Sequence, residues 1–179
     1  DEIILDALIM RNRIVEDIMA YKEANELQIL QPEQEAKQKE WLEKRMEGRR
    51  HKDEIFDVFE CVRTNSKRIQ ARKLFNYNIV LIGFMGAGKS TISDFLKNVF
   101  AMDVVEMDQI IAQRQGMSIS DIFETYGEQY FRDLETNLLI EMQSRSNVVI
   151  SCGGGTPMRE CNVVEMKKNG RVVLLTAKP

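Results

Sequence analysis

Along residues 1–75 the apolar positions recur at helical spacing. Ile4, Leu8, Val15, Ile18 and Met19 share one face, which predicts a first helix running to about Asn25. Pro32 stands where a first-turn proline belongs and opens a second helix that runs to Gly48, a C-terminal glycine. A third helix begins near Asp53 and carries Ile55, Phe59, Val62 and Ile69 on one face. Nothing in this half alternates as a strand would. The first helix would be about 37 Å long at a rise of 1.5 Å per residue. Two long helices and a short one cannot enclose a monomeric core in so few residues, so the pattern predicts an intertwined homodimer.

After Asn76 the pattern changes. Residues 78–82 (NIVLI) form a short β-branched run, followed by a glycine-rich turn and an amphipathic segment over 91–100. Residues 103–106 (DVVE), 147–151 (NVVIS) and 171–175 (RVVLL) repeat the buried-strand pattern with helical stretches between them. Strands alternating with helices predict an α/β domain with a parallel sheet covered by helices. The expected domains are therefore an all-α domain over 1–75 and an α/β domain over 76–179. The hinge, roughly 75–77, holds no Pro or Gly, so the third helix should lead almost directly into the first strand.

Composition narrows the classes. Of 179 residues 44% are apolar and 30% charged, which suits a chain that buries a core. The net charge of -3, with no basic block, argues against nucleic acid as a partner. No apolar run approaches the roughly 18 residues of a membrane span, and the acidic opening DEIILDALIM is unlike a secretory leader. Three scattered cysteines, Cys61, Cys152 and Cys161, suit a reducing cytoplasm and offer no metal cluster. His51, the single histidine, falls in a surface GRRHKD loop, which disfavours histidine-based catalysis. The chain opens without Met inside a helical pattern and stops just after a strand, and it reads as a fragment of a longer protein, truncated at both ends.

The strongest chemical signal is Gly83-Phe84-Met85-Gly86-Ala87-Gly88-Lys89-Ser90, which fits GxxxxGK[ST] at every fixed position and sits between a strand and a helix. Its glycines let the backbone wrap a phosphate, with N–H groups and the positive helix end aimed at the anion. Lys89 can reach the β/γ-phosphates and the Ser90 hydroxyl can ligate Mg²⁺, with Thr91 following, so this half should bind a nucleoside triphosphate.

The loop alone leaves the phosphate acceptor open. Glu106 and Asp108 stand at the carboxyl end of the second strand, where open α/β sheets bind ligands. One could hold Mg²⁺ through water and the other take a hydroxyl proton; two solvated acids are the alternative. Arg132 and Glu135 lie one helical turn apart, so the acid can orient the guanidinium for a bidentate grip on a carboxylate, or simply form a surface pair. Gly153, Gly154 and Gly155 follow a strand and permit close backbone approach to a ligand.

The segments GFMGAGKST, MDQIIAQRQGMSISDIFETYGEQYFRDLE and GGGTP resemble shikimate kinase over residues 78–179. The resemblance implies that ATP is bound by Gly83, Gly86, Ala87, Gly88, Lys89, Ser90 and Thr91. It implies that shikimate is held by Asp108, Arg132, Gly153, Gly154 and Gly155. Lys89 and Asp108 would be catalytic, and Ser90 with Glu106 would serve Mg²⁺. Position 106 is usually Asp in that family, and Glu106 keeps the charge with a longer reach. The implied reaction is ATP-dependent phosphorylation of the shikimate 3-hydroxyl. A kinase for another polyol or a nucleotide is disfavoured by an arginine and glycine triplet placed for a carboxylated ring. Shikimate kinases continue into a lid and a final strand, which this chain is expected to lack, with little turnover as the expected result.

In the helical half, Arg11 and Lys22 lie about three turns apart on one side of the first helix, while Ser66 and Gln70 fall on the inward side of the third. Glu35 opens the second helix. Polar residues at core positions need partners. Either Arg11 and Lys22 reach out to solvent and Ser66 bonds back to its own helix, or the set forms a pocket for a small dianion. The segments RNRIVEDIMAYK, QPEQEA and NSKRIQ resemble the all-helical class of chorismate mutases over residues 1–74. The resemblance implies that Arg11 and Ser66 grip carboxylates and Glu35 takes the ring hydroxyl. Lys22 and Gln70 would donate to the ether oxygen that gains charge as chorismate becomes prephenate. Gln31 and Gln34 stand where that family usually has an acid and an arginine, and an arginine the family contributes across the dimer is absent. Two rival expectations follow: a shikimate kinase carrying a non-catalytic dimerisation or sensing module, or a generic P-loop NTPase with a helical arm.

Overall fold

The computed structural model describes residues 1–29 and 32–176; Gln31, noted in the sequence, and Pro179, the last residue given, lie outside the described residues. The chain divides into two compact units, 1–73 and 74–179.

The first unit is three helices: α1 (Glu2–Ala24), α2 (Pro32–Arg45) and α3 (Lys52–Leu74). The second ends three residues before Gly48, which lies in the following turn at φ +68°. Its core is thin. Val15 and Met19 of α1, Leu42 of α2 and Ala71 of α3 are buried. Three helices can bury only the seam they share, and the rest of the α1 stripe stays in solvent: Ile4 is 63% exposed, Leu8 37% and Ile18 45%. A contiguous exposed apolar stripe marks an interaction surface.

The second unit is a four-stranded, all-parallel sheet in the order β2-β3-β1-β4, formed by β1 (Asn78–Ile82), β2 (Asp103–Glu106), β3 (Val148–Ser151) and β4 (Gly170–Leu174). The strands join through α4 (Lys89–Phe100), α5 (Met107–Gln115), α6 (Ile119–Met142) and α7 (Glu160–Lys168), with a 3-10 turn at Thr156–Met158. β3 is buried along its whole length between β1 and β2, as a strand covered on both faces must be. It opens at Val148, one residue later than the β-branched pattern predicts, because Asn147 adopts φ +61°. β4 opens one residue early, at Gly170, where a Cβ would lie 2.5 Å from the Met166 carbonyl oxygen.

Val80, Val105, Ile111, Phe131, Leu138 and Ile150 belong to one apolar core. Buried Asn78 fastens the amino end of the sheet: its amide donates to the Met142 and Arg145 carbonyls, and its side-chain oxygen accepts from the Val148 N–H at 3.1 Å. α6 opens with a capping box between Ser118 and Asp121 and is kinked at Gly127, where φ is +82°. The rim at the carboxyl ends of β1, β2 and β3 thus carries the phosphate loop, the Glu106/Asp108 pair and the glycine triplet.

Candidate active sites

In the second unit the loop between β1 and α4 takes its shape from three glycines with positive φ: Gly83 (+146°), Gly86 (+82°) and Gly88 (+91°). At Gly83 space is also exhausted, since a Cβ would sit 2.5 Å from the Leu175 carbonyl oxygen; at Gly86 and Gly88 only the dihedral matters. Lys89 Nζ donates to the Gly83 carbonyl at 2.7 Å and to that of Phe84 at 3.0 Å, curling its ammonium over the loop. A cavity of about 510 Å³ opens here, lined by Gly86, Gly88, Lys89, Ser90 and Thr91 from the loop side. Across it stand Glu106, Asp108, Gly153 and Gly154. Gly83, Ala87, Arg132 and Gly155 are not among its walls.

Asp108 and Gly153 meet closely, for a Cβ on Gly153 would be 2.8 Å from Asp108 Oδ1. Burial raises the Asp108 carboxyl above the ordinary carboxylate range; the negative charges of Glu135 and Glu106 raise it further, and Lys89 and Arg132 partly oppose them. Cys152 is buried at the same rim, and its thiol is pushed up to about 12, first by burial and then by Glu135 and Asp108.

Arg132 is held from two sides. Its Nη1 donates to Glu135 Oε2 at 2.8 Å, and its Nη2 and Nε reach Glu128 Oε1 at 2.9 and 3.1 Å. Glu135 is fully buried, and its second oxygen accepts from the Thr156 hydroxyl. Fully buried Asn162 closes the network: its amide donates to the Thr156 carbonyl at 2.9 Å and its oxygen accepts from the Thr136 hydroxyl at 2.7 Å. Gly155 lies directly under the guanidinium. Sequence reasoning found Arg132 and Glu135 but not Glu128, Thr156 or Asn162. Glu128 could have been read from its i−4 spacing, whereas the other two act through contacts that leave no local signal.

The first unit holds a separate cavity of about 310 Å³. All five residues singled out on its helices line it: Arg11 and Lys22 from α1, Glu35 from α2, Ser66 and Gln70 from α3. Gln34 lines it as well. The Arg11 guanidinium donates to the Ser66 hydroxyl, which in turn donates to the Val62 carbonyl at 3.0 Å. Ser66 therefore does bond back to its helix while also receiving the arginine. Burial lowers the Arg11 pKa. Lys22 does not reach out to solvent: it is 8% exposed, and its Nζ caps the Ile29 carbonyl at 2.9 Å. Glu35 pairs with Lys67 at 2.9 Å. Arg63, Lys67 and Gln38 complete the polar wall and were not singled out from the sequence.

Among the described residues no group of three or more His, Cys, Asp or Glu could hold a metal, and no helix is long and apolar enough to cross a membrane. The family model for shikimate kinase matches residues 85–179, and the model for chorismate mutase type II matches residues 1–71. The shikimate kinase of Caldanaerobacter subterraneus subsp. tengcongensis is 40% identical over 102 residues, covering 57% of this chain and 60% of that protein. That of a Sulfurihydrogenibium species is 45% identical over 98 residues, covering 55% and 59%. Among solved structures, shikimate kinase from Acinetobacter baumannii in complex with shikimate is 37% identical, with a TM-score of 0.54 over 57% of each chain. The Aquifex aeolicus enzyme is 40% identical, with a TM-score of 0.54 over 56% of this chain and 60% of its own. The chain spans about 60% of the length of the curated relatives it matches. A P-loop facing an acid pair and a glycine triplet, together with these matches, places the chain in the shikimate kinase family, with a chorismate mutase type II segment fused ahead of the kinase segment.

Proposed function

We propose that this is a bifunctional cytoplasmic enzyme of aromatic amino acid biosynthesis: its α/β half phosphorylates the 3-hydroxyl of shikimate with ATP, and its helical half rearranges chorismate to prephenate. The observation that carries the kinase reading is the rim that faces Lys89 and the glycine loop with Asp108 and Gly153, with Arg132 held beside them over Gly155. The loop N–H groups and Lys89 bind the ATP phosphates. Asp108, desolvated and close to two cations, accepts the proton that the 3-hydroxyl loses as it attacks. Arg132, fixed by Glu128 and Glu135, grips the ring carboxylate, and the bare backbone of Gly153 and Gly154 lets the ring approach. Ser90 and Glu106 share this cavity, and two oxygen ligands beside nucleotide phosphates suit Mg²⁺, which seldom needs an all-protein cage. Bound there, Mg²⁺ would neutralise charge on the phosphates.

In the helical half no proton has to move. Arg11 and Ser66 take carboxylate oxygens, Glu35 takes the ring hydroxyl, and Lys22 and Gln70 donate to the ether oxygen as it gains charge. Catalysis there rests on preorganised donors and a compact substrate conformer. The apolar face that α1 leaves exposed supports a homodimer through the helical units. Gln34, neutral in the cavity wall, favours the rival in which this half only dimerises or senses a ligand. Two measurements on the chain test both halves: loss of chorismate absorbance, and calorimetric titration with shikimate in the presence of MgATP. Chorismate left unchanged would leave the helical half a dimerisation or sensing module, and no shikimate binding by a chain that binds ATP would overturn the kinase reading.

A further inference from the structure

The cations around the helical cavity differ in what already satisfies them. Arg11 is engaged by Ser66, Lys22 by the Ile29 carbonyl, and Lys67 by Glu35. Arg63 is engaged only in part. Its Nη2 pairs with Glu60, an exposed residue one turn back on the same helix, but its Nε–H is buried with no hydrogen-bond partner among the described residues. A buried guanidinium N–H without an acceptor is uncommon and asks for one. Arg63, Ser66, Lys67 and Gln70 also follow the i, i+3, i+4, i+7 spacing of one helix face, and all four line the cavity. Among the described residues four cations surround a single acid there, Glu35, so the cavity is built for an anion of more than one charge. The α2 side contributes the neutral amides of Gln34 and Gln38 to that balance, which leaves α1 and α3 to supply the positive charge.

We infer that Arg63 is a carboxylate-binding residue of this cavity, taking one carboxylate of a small dicarboxylate side-on through its Nε–H and an Nη–H. The inference rests on the reading of the cavity as a chorismate site and deepens it: α3 supplies the second guanidinium that Gln34 does not. A side-on pair of charge-assisted bonds is what a lysine cannot imitate.

The test follows chorismate loss in the full chain, comparing wild type with Arg63→Leu, Arg63→Lys and Glu60→Gln. Arg63→Leu should raise KM at least tenfold with a smaller change in kcat, since the contact exists before and during the rearrangement. Arg63→Lys should recover only part of that loss. Glu60→Gln, which releases an Nη–H, should leave KM unchanged or lower it. If Arg63 serves only as the partner of Glu60, Arg63→Leu and Glu60→Gln will have the same effect; that equality, or an unchanged KM in Arg63→Leu, overturns the inference and leaves the chorismate reading standing. A wild-type chain that neither binds nor rearranges chorismate overturns both. Circular dichroism checks the fold, and if Arg63→Leu does not fold, the contrast between Arg63→Lys and Glu60→Gln decides.

Discussion

Gly155→Ala isolates the arginine grip with a single methyl group. The backbone at Gly155 is already helical (φ -87°, ψ -16°), so alanine adds no dihedral strain. Its Cβ would fall 2.6 Å from both terminal nitrogens of Arg132 and 2.8 Å from Cζ. Ordinary contact begins near 3.4 Å, so the guanidinium must retreat by about 0.8 Å. A retreat of that size either takes the 2.8 Å bond to Glu135 out of hydrogen-bond range or swings the fork away from the ligand. A charge-assisted contact is worth about 1.5–3 kcal/mol, so shikimate affinity should fall by roughly 10- to 150-fold. ATP affinity should not change, because the loop lies elsewhere on the rim. The unchanged ATP affinity is the internal control. Calorimetric titration of wild type and Gly155→Ala with shikimate, and separately with ATP, gives the answer. Equal shikimate affinities for the two proteins would show that Arg132 is not part of the substrate grip.

Lys89→Ala should lose MgATP affinity and leave the helical unit folded, as fluorescent-nucleotide titration and circular dichroism would show; unchanged affinity would count against the loop assignment. Arg132→Lys should weaken shikimate binding and spare ATP, because one ammonium cannot span Glu128, Glu135 and a carboxylate together. Leu8→Glu on α1 should melt the helices and not merely separate two chains, since the lone unit has only a thin core; a stably helical monomer in sedimentation and circular dichroism would refute the dimer. Thiol titration near pH 8 should count two reactive cysteines, the exposed Cys61 and Cys161, with Cys152 appearing only after unfolding. The Cys152 thiol ionises near 9 in the unfolded chain and at about 12 when folded, so its contribution to stability is full below pH 9 and is lost as pH rises toward 12. A Cys152→Ala variant should lack that alkaline loss.

Much of this was legible because the local rules agreed. β1 and β2 fall at the expected residues, since β-branched runs bounded by turn signals leave little choice, and the P-loop glycines sit where strand and helix dictate. The exceptions have identifiable causes. Asn147 turns left-handed and delays β3, and Gly170 joins β4 by pairing with Asn78, at a point where a side chain would strike Met166. The kink at Gly127 is hidden inside a continuous helical pattern. Around Arg132, spacing shows the i+3 acid but not that it is wholly buried or that Thr156 and Asn162 complete it, because those contacts join residues more than twenty positions apart. In the helical half the polar residues at inward positions were visible, whereas their sorting into satisfied and unsatisfied cations depends on contacts between helices and on burial, which no local spacing encodes.

The sheet order has a consequence for how this unit comes into being. β3 is made after β1 and β2, yet it lies between them, so neither earlier strand has its main-chain neighbour until residue 148 has emerged. About 65 residues separate the end of β1 from that point, several seconds of synthesis at roughly 5–20 residues per second. During that interval the phosphate loop exists as a peptide without a floor beneath it, and two apolar strands wait with open edges. Long-range parallel pairing is intrinsically slow. Capture of nucleotide during synthesis or refolding is therefore a clock for insertion of the central strand, and the same interval is when the nascent unit is most exposed to aggregation.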